Sequence, residues 1–286
     1  SPLPAVRRHA VWTLARLNGE AVGAALQPAL SDADPSVVQT ALSVLSLRRL
    51  PVSNDRMLSL LAGPRPALTR AAAEVLGRSG NIAAVPALLA AAERLRGEKF
   101  SATGTPEDPG DRALEHSLLQ ALIEIGRRDE LLAVLKSSGH PRRVRAALVA
   151  LDQMTGGGLG APDVIPWLKS SVPLLKNTAG WIVGYHPEWG DALAGFFHER
   201  IVDTTLSNAD RSALEAQLAG LARSPAVQRL LATTLATPNS VARLLALHAM
   251  AASGLKETPP GWFDALAALL STADEPTARA AIAAAR

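Results

Sequence analysis

Asp34-Pro35-Ser36-Val37-Val38-Gln39-Thr40-Ala41-Leu42-Ser43-Val44-Leu45 reads as the opening of an amphipathic helix. Proline costs nothing at the first helical position, because its missing N–H would be unpaired there anyway, and the preceding aspartate can accept from the exposed amides. Val37, Ala41, Val44 and Leu45 then recur at three and four residues, so one stripe is apolar and must be buried. Ser31-Asp32 offers a second polar start just upstream. The same pattern returns after Pro141, with Val144, Ala147, Leu148, Leu151 and Met154.

Working outward, turns of this kind recur at Pro35, Pro66, Pro109, Pro141, Pro173, Pro238 and Pro276. Most intervals are about 31 to 43 residues, enough for two helices and two turns, and the longest, about 65, splits in two if Ser207-Asn208-Ala209-Asp210 serves as a further turn. The partner helices lie between, as in residues 82–95 and 163–169, where Pro86 and Pro166 predict kinks. Residues rich in Ala, Leu and Arg and poor in aromatic and β-branched types favour helix and leave strands little to pack with.

This combination resembles the HEAT-repeat family: a first helix bent at proline, an Asp-Pro-type turn, and a second helix opening on Val-Arg or Leu-Arg. Here the openings are Ala5-Val6-Arg7-Arg8, Leu68-Thr69-Arg70, Arg143-Val144-Arg145 and Val241-Ala242-Arg243, whereas Val38-Gln39 and Leu175-Lys176 depart from the arginine and residues 187–223 are degenerate. The resemblance implies an all-α fold, a right-handed α-α superhelix of about seven to eight helical hairpins forming a single solenoid over residues 1–286. The segment 97–110 breaks the period as an inserted loop, either a binding loop or a tolerated insertion, with Phe100, a candidate interaction residue, Glu107 and Asp108 as its distinctive members. The chain opens in one helix-like run (6–17) and stops in another (277–286) without polar caps, so a piece of a longer protein is expected.

Several function classes recede on composition. Cysteine is absent, which removes disulfides, thiolate catalysis, cysteine-ligated zinc and covalent haem attachment. No apolar run reaches the ~18 residues of a membrane span, so no membrane insertion is expected. With 29 basic and 26 acidic residues the formal charge is +3, too small a surplus to indicate a dedicated nucleic-acid surface. Gly156-Gly157-Gly158 precedes no lysine and reads as a flexible turn, not a phosphate loop.

Candidate interaction residues fall in two places. Glu115 and His116 lie off the apolar stripe Leu114, Leu118, Ala121, Leu122 and Ile125, which leaves them facing solvent or a groove. Trp181, Tyr185, Trp189, Phe196 and Phe197, half of the chain's aromatic residues, crowd one short stretch with His186, Glu188 and His198. That stretch is either a local aromatic core or a pocket in which Tyr185, His186, Glu188 and Trp189 meet a partner. The spacing of His186, Glu188 and His198 matches no metal-ligand motif, and no catalytic, cofactor or metal residues are assigned.

Three runs carry a closer resemblance: Leu114-Glu115-His116-Ser117-Leu118-Leu119-Gln120-Ala121-Leu122-Ile123-Glu124-Ile125, Arg145-Ala146-Ala147-Leu148-Val149-Ala150-Leu151-Asp152-Gln153-Met154, and Trp181-Ile182-Val183-Gly184-Tyr185-His186-Pro187-Glu188-Trp189-Gly190. Together they resemble the HEAT segment of exported dehydrogenase-like proteins of planctomycetes, in which a β-propeller usually precedes the repeats and a c-type cytochrome domain follows. That resemblance implies a curved spacer outside the cytoplasmic membrane, between an oxidising domain and an electron acceptor, with Glu115, His116, Asp152, Trp181, His186 and Trp189 at surface or packing positions; the chain itself is expected to be a non-catalytic, monomeric module that contacts protein partners or neighbouring domains. Two enzyme classes share the HEAT-like fold: DNA glycosylases, for which Trp181, Trp189 and Asp191 would be the candidates, and bilin lyases, for which no residue stands out. Helix-opening arginines paired with acidic neighbours would favour the scaffold, and a continuous unpaired stripe beside Trp181 and Trp189 would favour DNA.

Overall fold

A computed structural model describes the chain apart from residues 18–20, 51, 96–108, 138, 272–273 and 286. The described residues are all-helical: seventeen α-helices, three short 3-10 turns and no strand. They form two compact units, residues 1–158 and 159–286. Phe100 and nearly all of the 97–110 insertion lie outside the described residues.

In the first unit the helices are α1 (Pro4–Arg16), α2 (Ala21–Leu26), α3 (Pro35–Arg48), α4 (Asn54–Ala62), α5 (Pro66–Arg78), α6 (Val85–Glu93), α7 (Pro109–Ile125), α8 (Arg128–Lys136) and α9 (Pro141–Gln153). The odd-numbered helices pack side by side in one row, α1 on α3, α3 on α5, α5 on α7 and α7 on α9, while α4 and α6 pair behind them. The second unit repeats the plan with α10 (Ala161–Leu168), α11 (Pro173–Gly184), α12 (Gly190–Ile201), α13 (Asn208–Gly220), α14 (Pro225–Leu235), α15 (Ser240–Ala251), α16 (Pro260–Leu270) and α17 (Glu275–Ala284). One row runs α11, α13, α15, α17 and the other α10, α12, α14, α16, each helix touching the next but one in sequence. This is the helical-hairpin solenoid expected from the repeat.

The helix starts follow the cap chemistry. Pro35, Pro66, Pro109, Pro141 and Pro173 each open a helix. The Asp34 carboxylate accepts from the Ser36 amide at 2.8 Å, and Asn239 Oδ1 accepts from the Val241 and Ala242 amides, both at 3.1 Å. Pro238 therefore precedes a capping asparagine instead of opening α15. Ser207 Oγ takes the Asp210 amide at 3.1 Å and caps α13, which divides the longest interval as the period requires.

Burial is wider than the single stripe read from the sequence. In α3, Val38 and Leu42 are buried along with Val37, Ala41, Val44 and Leu45, because α1 and α5 cover its two flanks. Each fully buried Val or Leu side chain contributes about 1.5–3 kcal/mol. Small residues set how closely neighbouring helices of a row approach. A Cβ at Gly77 would stand 2.7 Å from the Ala121 Cα, so α5 meets α7 almost backbone to backbone, and one at Gly190 would stand 2.2 Å from the Cβ of Ser224, the N-cap of α14, so the start of α12 lies directly against that cap.

Two local expectations are corrected. Pro86 does not kink a helix: it sits in the first turn of α6, after a 3-10 turn at Ile82–Ala84, where its missing amide is no loss. Pro166 does lie inside α10. The triple glycine is not a loose turn either. Gly156 and Gly158 have positive φ values of 72° and 63°. Gly157 packs so closely on the end of α9 that a Cβ would fall 1.9 Å from the Leu151 carbonyl oxygen. Arg128 Nε of α8 donates to the Gly157 carbonyl at 3.1 Å, tying the turn to the neighbouring helix.

Gly157→Ala is expected to destabilise the protein by about 1–3 kcal/mol, the usual cost of forcing atoms into filled space. Gly220→Ala, at an exposed helical position with open space around it, is expected to leave stability unchanged or slightly raised. Denaturant unfolding followed by circular dichroism compares the two. Acid is the second lever. Hydrogen bonds hold the carboxyls of Asp32 (from Arg7), Asp34 (from Ser36) and Asp274 (from Thr277) below the ordinary aspartate value of 3.8. The unfolded chain binds protons more readily at these sites, so their contribution is complete above pH 3.8 and is lost as pH falls below it. Thermal midpoints measured against pH are expected to be flat near neutrality and to drop in that acid range.

Candidate functional site

The basic residues at the helix openings are the first candidates for a functional surface, and most are spent inside the rows. Arg7 of α1 reaches the turn ahead of α3, where Nε and Nη2 donate to Asp32 at 2.7 and 2.8 Å, while the Asp32 carboxylate also accepts from the Asp34 amide. Arg145 of α9 donates to Glu115 of α7 at 2.8 Å, with both side chains less than a fifth exposed. Arg143 Nε stands 2.6 Å from Glu93 of α6, an ion pair without hydrogen-bond alignment. In the second unit Lys176 of α11 pairs with Asp210 of α13, and His248 of α15 lies 3.1 Å from Glu215 of α13. Arg243 adds to the forces that lower the Asp274 carboxyl, after the Thr277 hydrogen bonds.

The pattern is a lateral ladder in which a cation or acid on one helix of the row meets its opposite on the next. Departures exist: Arg70 stands 3.8 Å from Glu74 on its own helix, and the buried Nε atoms of Arg211 and Arg243 lack hydrogen-bond partners among the described residues. These do not join into an unpaired cationic stripe, because Lys176 and Arg279, on the flanking helices of that row, are both paired with carboxylates.

The predicted aromatic stretch divides on folding. Phe196 and Phe197 go into the core of the second unit, in edge-to-face contact with centroids 5.3 Å apart. Trp181 and Tyr185 do the opposite: they are 42% and 69% exposed on the solvent side of α11. Spaced four residues apart, they fall on one helix face, with rings 5.2 Å apart and inclined by 61°. The local-core reading thus holds for the phenylalanines and fails for this pair, because α10 and α13 pack against α11 elsewhere, where Leu175, Thr178, Ala179, Ile182 and Val183 are buried.

Just past α11, His186 stacks on Trp189 at 3.9 Å with the planes inclined by only 7°, across the 3-10 turn Pro187–Trp189. His186 Nδ1 lies 2.5 Å from Glu188 Oε1. Partial burial pulls the Glu188 carboxyl upward, but the His186 hydrogen bond and neighbouring attractions outweigh it and hold Glu188 below the ordinary glutamate value of 4.5. Asp191, next along, accepts from the Ser224 hydroxyl at 3.1 Å and so ties α12 to the start of α14. Residues 181–191 thus carry two ring pairs, the exposed Trp181–Tyr185 and the half-buried His186–Trp189, together with two engaged carboxylates. His116 is exposed on α7 and Asp152 half-buried on α9, in the first unit with the Glu115–Arg145 pair.

Sequence reasoning missed a cleft of about 490 Å³ in the second unit, lined by Leu168, Lys169, Lys176, Glu199, Arg200, Asp203, Thr205, Leu206 and Asp210. Three ion pairs line it: Lys169–Glu199 at 3.0 Å, Arg200–Asp203 at 2.9 Å and Lys176–Asp210. Asp203 is held below the ordinary range chiefly by the Thr205 hydroxyl and amide, and Asp210 by Lys176 and Ser207. Carboxylates locked in the ionised form make poor general acids. Lys176 was visible as the departure from arginine in its repeat, but its partners come from residues 199–210, inside the degenerate unit. Among the described residues no group of histidine and carboxylate side chains is placed to hold a metal ion, and no helix is long and apolar enough to cross a membrane.

Rows of antiparallel helical hairpins with a lateral ion-pair ladder place the chain in the class of helical solenoids. More particularly, the family model for HEAT repeats matches residues 1–72. No curated protein matches the chain. Among the solved structures that do match is human deoxyhypusine hydroxylase in complex with glycerol, at 16% identity over 86% of this chain and 88% of that one, with a TM-score of 0.33. No residue role is carried over from that likeness.

Exposure separates the aromatic residues sharply. Trp181→Ala is expected to change unfolding free energy by no more than about 0.5–1 kcal/mol, since it is half in solvent, whereas Phe197→Ala in the core costs about 3–5 kcal/mol. Chemical denaturation of both variants checks this.

Proposed function

We propose that this chain is a protein-interaction scaffold that performs no chemistry of its own, and that residues 181–191 are its principal docking surface. The observation that carries the reading is the exposure of Trp181 and Tyr185 on a helix otherwise firmly packed in its row. Large aromatic side chains left in water on a rigid element mark interaction sites more often than chance, because their burial by a partner recovers apolar area at little conformational cost. The ladder supports the same reading, since arginines engaged with Asp32 and Glu115 are not offered to phosphate. The HEAT match over residues 1–72 is consistent with such a role.

A finer form of the proposal follows from the resemblance carried by the runs around Glu115, Asp152 and Trp181: the chain serves as a curved spacer between redox domains of an exported protein. In that form the docking face meets a neighbouring domain of the parent chain. No redox chemistry is assigned to these residues, because the chain has no cysteine for haem attachment.

Quantitative affinity capture from a cell extract, comparing the wild type with Trp181→Ala and Tyr185→Ala, tests the reading. A discrete set of proteins retained by the wild type and lost with both variants is expected. Identical captured sets would refute the docking surface. In parallel, a labelled DNA duplex is expected to bind no more tightly than the non-specific level, with Kd weaker than ~10⁻⁶ M at physiological salt. Tight binding that weakens steeply with salt would instead make the chain a nucleic-acid-binding solenoid.

A further inference from the structure

We infer that the cleft bordered by Lys169 and Glu199 binds a small zwitterion of dipeptide size, independently of the aromatic docking surface. The cleft lies where α10 and α12 end and α11 and α13 begin, and its volume of about 490 Å³ falls within the range of small-molecule sites. Leu168 and Leu206 contribute its apolar lining.

Its charges come in matched opposite pairs. Three cations line the cleft, Lys169, Lys176 and Arg200, and each is paired with one of three carboxylates, Glu199, Asp210 and Asp203. A purely anionic ligand reaches a cation only by displacing that cation's carboxylate, which then faces the ligand's own charge, and a purely cationic ligand meets the mirror-image problem. A molecule carrying both signs escapes it. Its carboxylate takes the protein's cation, and its ammonium takes the carboxylate so released.

The three pairs differ in how readily they open. The side chains of Lys176–Asp210 and Arg200–Asp203 are a third or less exposed, and Asp210 and Asp203 also accept from Ser207 and Thr205. Arg200 attracts both of these carboxylates, so the two pairs brace one another and keep the wall fixed. Lys169–Glu199 joins the ends of α10 and α12 at 3.0 Å, but its side chains are 51% and 67% exposed. An exposed pair of this kind is worth about 1 kcal/mol at most, so opening it costs little, and an inserted zwitterion makes two ion pairs in place of one. Lys169 Nζ also lies 5.7 Å from the centre of the Phe196 ring, a contact that holds the ammonium at the cleft when Glu199 turns to the ligand.

The test titrates the whole chain calorimetrically with the dipeptide alanyl-leucine, with its N-acetylated form, which keeps only the carboxylate, and with its amidated form, which keeps only the ammonium. Saturable binding of the zwitterion is expected at about 1 mM or tighter, with each singly charged form about fivefold weaker or more. Lys169→Glu is expected to weaken the zwitterion about five- to tenfold, and adding Glu199→Lys to that variant to restore it, because the pair re-forms with its signs exchanged. Both positions are exposed, and far-ultraviolet circular dichroism confirms that the variants keep their helices. Equal affinity for the three probes, no saturation by the dipeptide below about 10 mM, an unaffected single variant, or a double variant no better than the single one overturns the inference. None of these readouts involves Trp181 or Tyr185, so the zwitterion site and the docking surface stand or fall separately.

Discussion

The structure depends on lateral burial. A helix such as α3, with Val37, Val38, Ala41, Leu42, Val44 and Leu45 spread around nearly half its circumference, has more apolar surface than one hairpin partner covers, and α1 and α5 pack on it from both flanks. The apolar gain from each side chain is a few kcal/mol at most, and the entropy of ordering the surrounding chain is of similar size. Stability therefore accumulates by stacking, each repeat completing the core of the one before it.

Polar groups then find their places in what stacking leaves open. At the start of each row helix the first amides need acceptors, and Asp34, Ser207, Asn239 and Asp274 supply them. The basic residue one turn further in lies beside the neighbouring helix, where an acid is within reach: Arg7 meets Asp32, Lys176 meets Asp210, Arg145 meets Glu115. Such pairs add little energy where they are exposed. They do fix register, because a helix displaced by one turn would leave a half-buried charge facing no partner. The ladder also removes those cations from the surface, which is why the aromatic face of α11 stands out.

Functional consequences follow from an asymmetry within a single helix. One side of α11 packs on α10 and α13, burying Leu175, Thr178, Ala179, Ile182 and Val183, while Trp181 and Tyr185 are exposed to water. The backbone beneath these rings is held by the row. In the docking role proposed for it, a partner covering these rings would spend little entropy on ordering the surface.

Much of this was legible in the sequence: the all-helical class, the period, most helix starts from Pro35 to Pro173, and the division of the longest interval at Ser207. These are local properties, set by cap chemistry and by apolar spacing of three and four residues, and they need no knowledge of neighbours. The aromatic residues 181–198 were visible as a cluster, but their sorting was not, because spacing along one helix does not say which flank a neighbour will cover. The cleft between Lys176 and residues 199–210, the close approach at Gly77, and the tight packing of Gly157 were hidden for the same reason. Local sequence determined which segments are helices and where they begin. Tertiary structure alone decided which side chains meet across helices, since burial and ion pairing are properties of two surfaces and the sequence writes down only one at a time.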